Sequence, residues 1–258
     1  MQSKYKVDRK LELITTTTFV ALLNRAPGVL LLVAIVLVGI KIQSVGAGFE
    51  PVVPQGMNPE QVAGAIKANA QALKTFSYQQ RMQLQMKGET KKVTLTQMTH
   101  DMYGNLQKTQ LSEEPSGDAP PSGGRLKQRV IARKKGEFKE MMQGIAALVH
   151  SYTELPPERL HAALKQAAFS TGEGDMAGSV QIVMRNVIQS GDSMTIWIDR
   201  TVMLYRRAVI ATTYEGNPVT TTANYAMLPS GQVHMAQAIL NYPKKQVVVQ
   251  LDNMNYTR

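Results

Sequence analysis

The sequence has no cysteine in 258 residues. That removes disulfides, thiolate metal sites, cysteine nucleophiles and an N-terminal acylation site. Histidine is scarce as well. His100, His150, His161 and His234 show no HxH or HExxH spacing and no accompanying carboxylate cluster, so no metal is expected. There is no GxSxG, no SxxK and no glycine-rich loop between a strand and a helix, so neither a serine nucleophile nor a phosphate loop is indicated. The adjacent His100 and Asp101 fall beside a turn signal and read as turn chemistry. Aromatics are 6% of the chain, with a single tryptophan, so there is no stacking platform for bases and no nucleic-acid partner is expected. These absences predict a protein without catalytic residues or cofactors, and not an enzyme.

What is present begins at the N-terminus. Ala26 to Ile40 is an unbroken apolar run of 15 residues bracketed by Arg25 and Lys41. Lys4, Lys6, Arg9 and Lys10 lie upstream, against Asp8 and Glu12. A basic region followed by an apolar stretch is the pattern of export. The length of the run and the small residues Val45-Gly46-Ala47 fit a cleaved signal peptide. The long basic region and Lys41, whose stem can snorkel, fit an uncleaved anchor over 26–47. Both deliver the rest of the chain to the periplasmic side of a membrane. The net charge of +10 divides between this segment, at +4, and residues 125–139, which hold seven basic side chains against Glu137. That second run reads as a solvated loop and helix start, or as a contact for anionic headgroups of the membrane.

Residues 48–58 read as a linker. Asn58-Pro59-Glu60-Gln61 is then a helix start, with Asn as N-cap and Pro at the first position, and a short helix is predicted over 59–74. From Ser77 the period changes to two. Tyr78, Met82, Leu84 and Met86 take one face, while Gln79, Arg81, Gln83 and Gln85 take the other. Gly88 turns the chain into a second strand over 92–98, and a third is predicted over 102–111. Residues 112–124 read as a loop. Phe138, Met141, Met142, Ile145, Leu148 and Val149 form a helical stripe, and after Pro156-Pro157 a second helix carries Leu160, Leu164 and Ala168 to about Phe169. Six strands follow, predicted over 179–189, 193–199, 202–214, 218–227, 232–241 and 246–256, each bounded by turn residues. In the second of these, 193–199, Trp197 shares a face with Thr195 and Asp199, opposite Met194, Ile196 and Ile198, and Asp199-Arg200-Thr201 is a hairpin turn. The order predicts a mainly β, α+β protein. Its sheet is an open antiparallel half-barrel covered by helices and preceded by one N-terminal membrane-targeting helix.

Methionine is plentiful, at 15 residues. Met82, Met86, Met98, Met184, Met194, Met203, Met235 and Met254 fall in predicted strands, and Met141 and Met142 on the helical stripe. Flexible thioethers suit either a core beneath a sheet or a cavity for variable apolar ligands. A strand arginine such as Arg81 either faces solvent or reaches the helices as a latch.

Several stretches together resemble a known family. MTIWID (194–199), LYRRAVI (204–210), EGNPVTTTANY (215–225), VVVQLDNMNYTR (247–258) and FSYQQRMQLQM (76–86) are similar to segments of the exported outer-membrane lipoprotein-sorting, or LolA/LolB-like carrier, family. The Arg-Pro pair of the true carrier is absent, and the matching region, Lys92 to Leu111, has one aromatic, Tyr103. The resemblance covers 59–258 and implies an open β-barrel with a helical lid over an apolar cavity that receives acyl chains. On that basis Met82, Leu84, Met184, Ile196 and Ile198 are expected as cavity lining. Phe138, Met141, Met142, Ile145 and Leu148 are expected as the lid, with Arg81 as a candidate latch. The expected partners are a lipid or lipoprotein acyl chain and the membrane, with an envelope protein as partner in the alternative role of sensor.

Overall fold

The structure, a computed structural model, describes residues 59–115 and 125–258. The expected export segment, 1–47, and linker, 48–58, lie outside the described residues. None of the described helices is long and apolar enough to cross a membrane.

The chain opens with α1 (Pro59–Leu73), then β1 (Ser77–Met86), β2 (Glu89–His100) and β3 (Leu106–Pro115). A helical pair follows, α2 (Arg125–Thr153) and α3 (Pro157–Lys165). The remaining strands are β4 (Ala168–Thr171), β5 (Ser179–Arg185), β6 (Ser193–Asp199), β7 (Tyr205–Tyr214), β8 (Asn217–Met227), β9 (Val233–Tyr242) and β10 (Val247–Thr257). All ten strands form one antiparallel sheet in the order β3-β2-β1-β10-β9-β8-β7-β6-β5-β4. Two-residue hairpins join β1 to β2 and β7 to β8. Lys87-Gly88 and Glu215-Gly216 all have positive φ, the conformation whose twist matches that of paired strands.

The topology requires helices over one face. β3 and β4 lie at opposite edges, and α2 and α3 carry the chain between them. Crossing nine inter-strand gaps of about 4.8 Å means roughly 43 Å along the sheet. The 29 residues of α2, at about 1.5 Å each, span about the same length. Alternation then decides which face is covered. Tyr78, Gln80 and Met82 on β1 are buried, as are Met194, Ile196 and Ile198 on β6 and Val247, Val249 and Leu251 on β10. All of these except Tyr78 and Gln80 meet the helical stripes in one apolar cluster.

The elements differ from the sequence reading in three places. α2 starts at Arg125, so the basic run predicted as loop and helix start is helix throughout. Arg, Lys, Gln, Ala and Glu are strong helix formers, and Arg133 pairs with Glu137 one turn on, at 3.0 Å. β3 runs from Leu106 to Pro115, taking in part of the predicted loop, because 101–105 is the turn. There the Asp101 carboxylate accepts from the backbone N–H groups of Tyr103 and Asn105 and from the Asn105 amide. The backbone bond from Asn105, first among these, holds its carboxyl below the usual range. The turn chemistry expected of His100-Asp101 is thus the work of Asp101. Finally, β4 had no strand signal. Ala168–Thr171 pairs with β5 as a four-residue edge, where a helix end and loop were predicted.

Candidate functional site

The covered face of the sheet is apolar with a low floor at its middle. Ala208, Ala223 and Ala238 stand in register on β7, β8 and β9, and each is buried. Ile196 flanks them on β6 and Leu251 on β10, with Met82 beyond on β1. Three adjacent methyl side chains between longer ones make a trough across the strands.

All five expected lining residues project into the cluster over this face: Met82, Met184, Ile196 and Ile198 buried, Leu84 partly buried. The expected lid residues are there too. Met142 and Ile145 are buried at 2% and 0% exposure, and Phe138, Met141 and Leu148 pack at the margin. α2 comes closest to β7 at Gly144, where a Cβ would fall on the Tyr214 phenol. The helix is seated on the sheet there. Between α1 and the sheet is a void of about 10 Å³ lined by Ile66, Asn69, Tyr205 and Tyr225, room for one water.

Arg81 is not positioned to latch the helices. It projects from the opposite face, where its guanidinium lies 3.7 Å from Asp252 on β10. The parity of β1 dictates this, because Met82 next to it faces inward.

Two polar attachments that the sequence did not signal tie helices to the sheet. At the C-terminal end of α2 the phenol of Tyr152, fully buried, donates to Asp192 Oδ2 at 2.5 Å and lies 2.7 Å from Thr212 Oγ1. A phenol has one hydrogen, so Thr212 donates in the second contact and itself accepts from Gln189 Nε2 at 2.7 Å. The Asp192 carboxylate also accepts from the backbone N–H groups of Val187, Ile188 and Gln189. Burial, and then the hydrogen bond to Asp192, push the Tyr152 phenol up from its ordinary value. On α1, Asn69 clips onto β9: its amide donates to the Val233 carbonyl at 2.7 Å and its oxygen accepts from the Val233 N–H at 2.8 Å. Tyr152 continues the spacing of Leu148 and Val149, and a hydroxyl on an apolar stripe needs a partner. That was the available hint.

Further along the covered face the lining turns polar. Gln80 Nε2 donates to Asn253 Oδ1, and Asn253 Nδ2 to the Met235 carbonyl, both at 2.9 Å. Tyr78 stacks on Tyr256 at 4.8 Å between centroids, and His234 lies against the same ring at 4.2 Å. Burial raises the Tyr78 phenol to about 12 and lowers His234. Among the described residues no group of His, Asp and Glu is arranged to hold a metal.

No family model matches the chain, and no curated protein does. Solved structures do resemble it. The LolA superfamily protein NE2245 from Nitrosomonas europaea is 10% identical, with 72% of this chain and 92% of that chain covered, at a TM-score of 0.35. The architecture of this chain is an open antiparallel half-barrel with helices over one face. A Vibrio parahaemolyticus outer membrane lipoprotein-sorting protein domain is 9% identical, covering 75% of this chain and 90% of its own, at a TM-score of 0.35. A DUF1329 family protein from Desulfovibrio piger is 11% identical, covering 76% and 90%, at 0.33.

Proposed function

We propose that the protein is an exported, non-enzymatic carrier that holds an acyl chain of a lipid or lipoprotein between the apolar face of the half-barrel and α2, in lipoprotein sorting or lipid transfer across the envelope. The observation that carries this reading is the trough of Ala208, Ala223 and Ala238, bordered by long apolar side chains and sharing one apolar cluster with a methionine-bearing helix. A methylene chain laid there replaces apolar contacts with apolar contacts. Each buried methylene contributes about 0.8 kcal/mol, so several of them offset the lifting of the Met142 and Ile145 stripe. The ligand displaces α2, because Ile145 and Met184 are both fully buried when the helix is seated. In this reading residues 26–47 direct 59–258 to the periplasm, as a signal peptide or an inner-membrane anchor, with 48–58 as the tether.

The test is native mass spectrometry of protein purified from membranes, compared with a Met141→Asp/Met142→Asp variant. Co-purifying lipid that the variant loses supports the carrier. Lipid loading unchanged by the substitutions removes α2 from the site. An empty protein that brings down one membrane protein supports an envelope sensor instead.

A further inference from the structure

A second cleft opens at the margin of the apolar cluster, which Ala163 and Val187 join and Ile188 packs against. Arg159, Ala162 and Ala163 occupy one face of α3 at helical spacing, and Gln166 follows on that face at its C-terminal cap. They face Arg185, Asn186, Val187 and Ile188 at the end of β5 across a cleft of about 230 Å³. Its lining holds two guanidinium groups and two primary amides and no carboxylate. Arg159 Nη1 donates to the Ile188 carbonyl at 3.1 Å, which fixes that guanidinium across the cleft and leaves its other N–H groups to a ligand. The Arg185 side chain has no hydrogen bond or ion pair among the described residues. The Asn186 side-chain oxygen accepts from the Gly191 N–H at 2.8 Å, which orients its amide.

The wall opposite α3 is held in place without a ligand. Asp192 gathers the N–H groups of Val187, Ile188 and Gln189, so the turn is set before any ligand arrives. The same bonds turn that carboxylate inward and commit those N–H groups, so the arginines are the donors a ligand meets. A preformed wall reduces the ordering cost of binding. Two arginines without a neutralising acid favour a tetrahedral or planar oxyanion, which a guanidinium meets with paired N–H groups. The volume is below the range of pockets for drug-sized ligands, and the cleft therefore takes a headgroup-sized anion and not an acyl chain.

We propose that the cleft between α3 and the end of β5 binds a phosphate-type oxyanion, borne by a lipid headgroup or free in solution. The site is independent of the acyl-chain reading, since it shares no ligand surface with the alanine trough. No local pattern marks it, because Arg159 and Arg185 meet only where α3 packs against the end of β5.

The test uses two probes, inorganic phosphate by calorimetry and phosphatidylcholine vesicles with and without phosphatidylglycerol by co-sedimentation. The proteins are the parent, Arg159→Gln/Arg185→Gln, and a Lys134→Gln/Lys135→Gln control in the exposed basic part of α2. The proposal expects at least one probe to bind, with affinity falling about tenfold or more in the arginine variant and little in the control. Vesicle binding that needs phosphatidylglycerol assigns the site to a headgroup. Phosphate binding alone assigns it to a free oxyanion. Binding of neither probe, binding that survives the arginine substitutions, or equal loss in the lysine control overturns the proposal. If the double variant does not fold, Arg185→Gln alone serves, because that side chain has no bond to lose.

Discussion

Replacing Tyr152 with phenylalanine isolates the attachment of α2. The substitution keeps the ring and removes one oxygen. It abolishes the bond to the Asp192 carboxylate and leaves the Thr212 hydroxyl without its acceptor, while the three backbone donors to Asp192 remain. A buried hydrogen bond to a charged group contributes about 1.5–3 kcal/mol, so a loss of about 2–3 kcal/mol is expected. For a folded part of this size that corresponds to a fall in Tm of about 5–10 °C by calorimetry. The location of the effect matters as much as its size. Hydrogen exchange should quicken in the last turns of α2 and in the turn before β6, with little change in β8 to β10. A cycle with Thr212→Val should be non-additive, because both changes break the same chain of bonds. A Tm within about 1 °C of the parent, or faster exchange spread evenly over the sheet, would refute the view that this contact holds the helix.

Asn69→Ala should cost about 1–2 kcal/mol, from two hydrogen bonds to one β9 residue, and raise exchange in α1 without affecting α2. Gly144→Ala should destabilise by about 1–3 kcal/mol, because the new methyl meets the Tyr214 phenol, and Tyr214→Leu should recover part of that loss. Alkaline pH should weaken the fold. Burial holds Tyr78 up to about 12 and also raises Tyr205, Tyr225 and Tyr256. Below about pH 10 both states keep these protons. Above it the unfolded chain loses them first, so stability falls from there upward. Denaturant titrations between neutral pH and pH 11, with tyrosinate absorbance, check this, and ionisation of these phenols near pH 10 in an intact fold would contradict it.

The covered face was legible because period-two alternation survives in β1 and β6, and so Met82, Leu84, Ile196 and Ile198 fell on the correct side. The apolar stripe of α2 was legible by its helical spacing. Gln80 was not, since a glutamine among methionines is explained only by Asn253 across a strand pair 173 residues away. The same holds for Tyr152, whose partners are 40 and 60 residues distant. β4 escaped notice because four residues, Ala168–Thr171, are too few to show a period. The start of α2 escaped because a solvated stretch of helix carries propensity and no stripe. Local pattern thus gives the apolar half of the site, while the polar ties depend on which distant strands become neighbours.

The pairing of β1 with β10 bears on how the molecule is made. β1, β2 and β3 form a hairpin pair by themselves, but their junction to the other seven strands is through β10, with Ser77 and Thr257 joined across 180 residues of chain. Closing so long a loop is entropically costly and slows folding. Until it closes, β1 presents an unpaired edge bearing Met82, Leu84 and Met86, the kind of surface that draws other chains. A chain emerging from its N-terminal end must wait for its most distant strand before the apolar face is whole, and that interval is when a chaperone has most to protect.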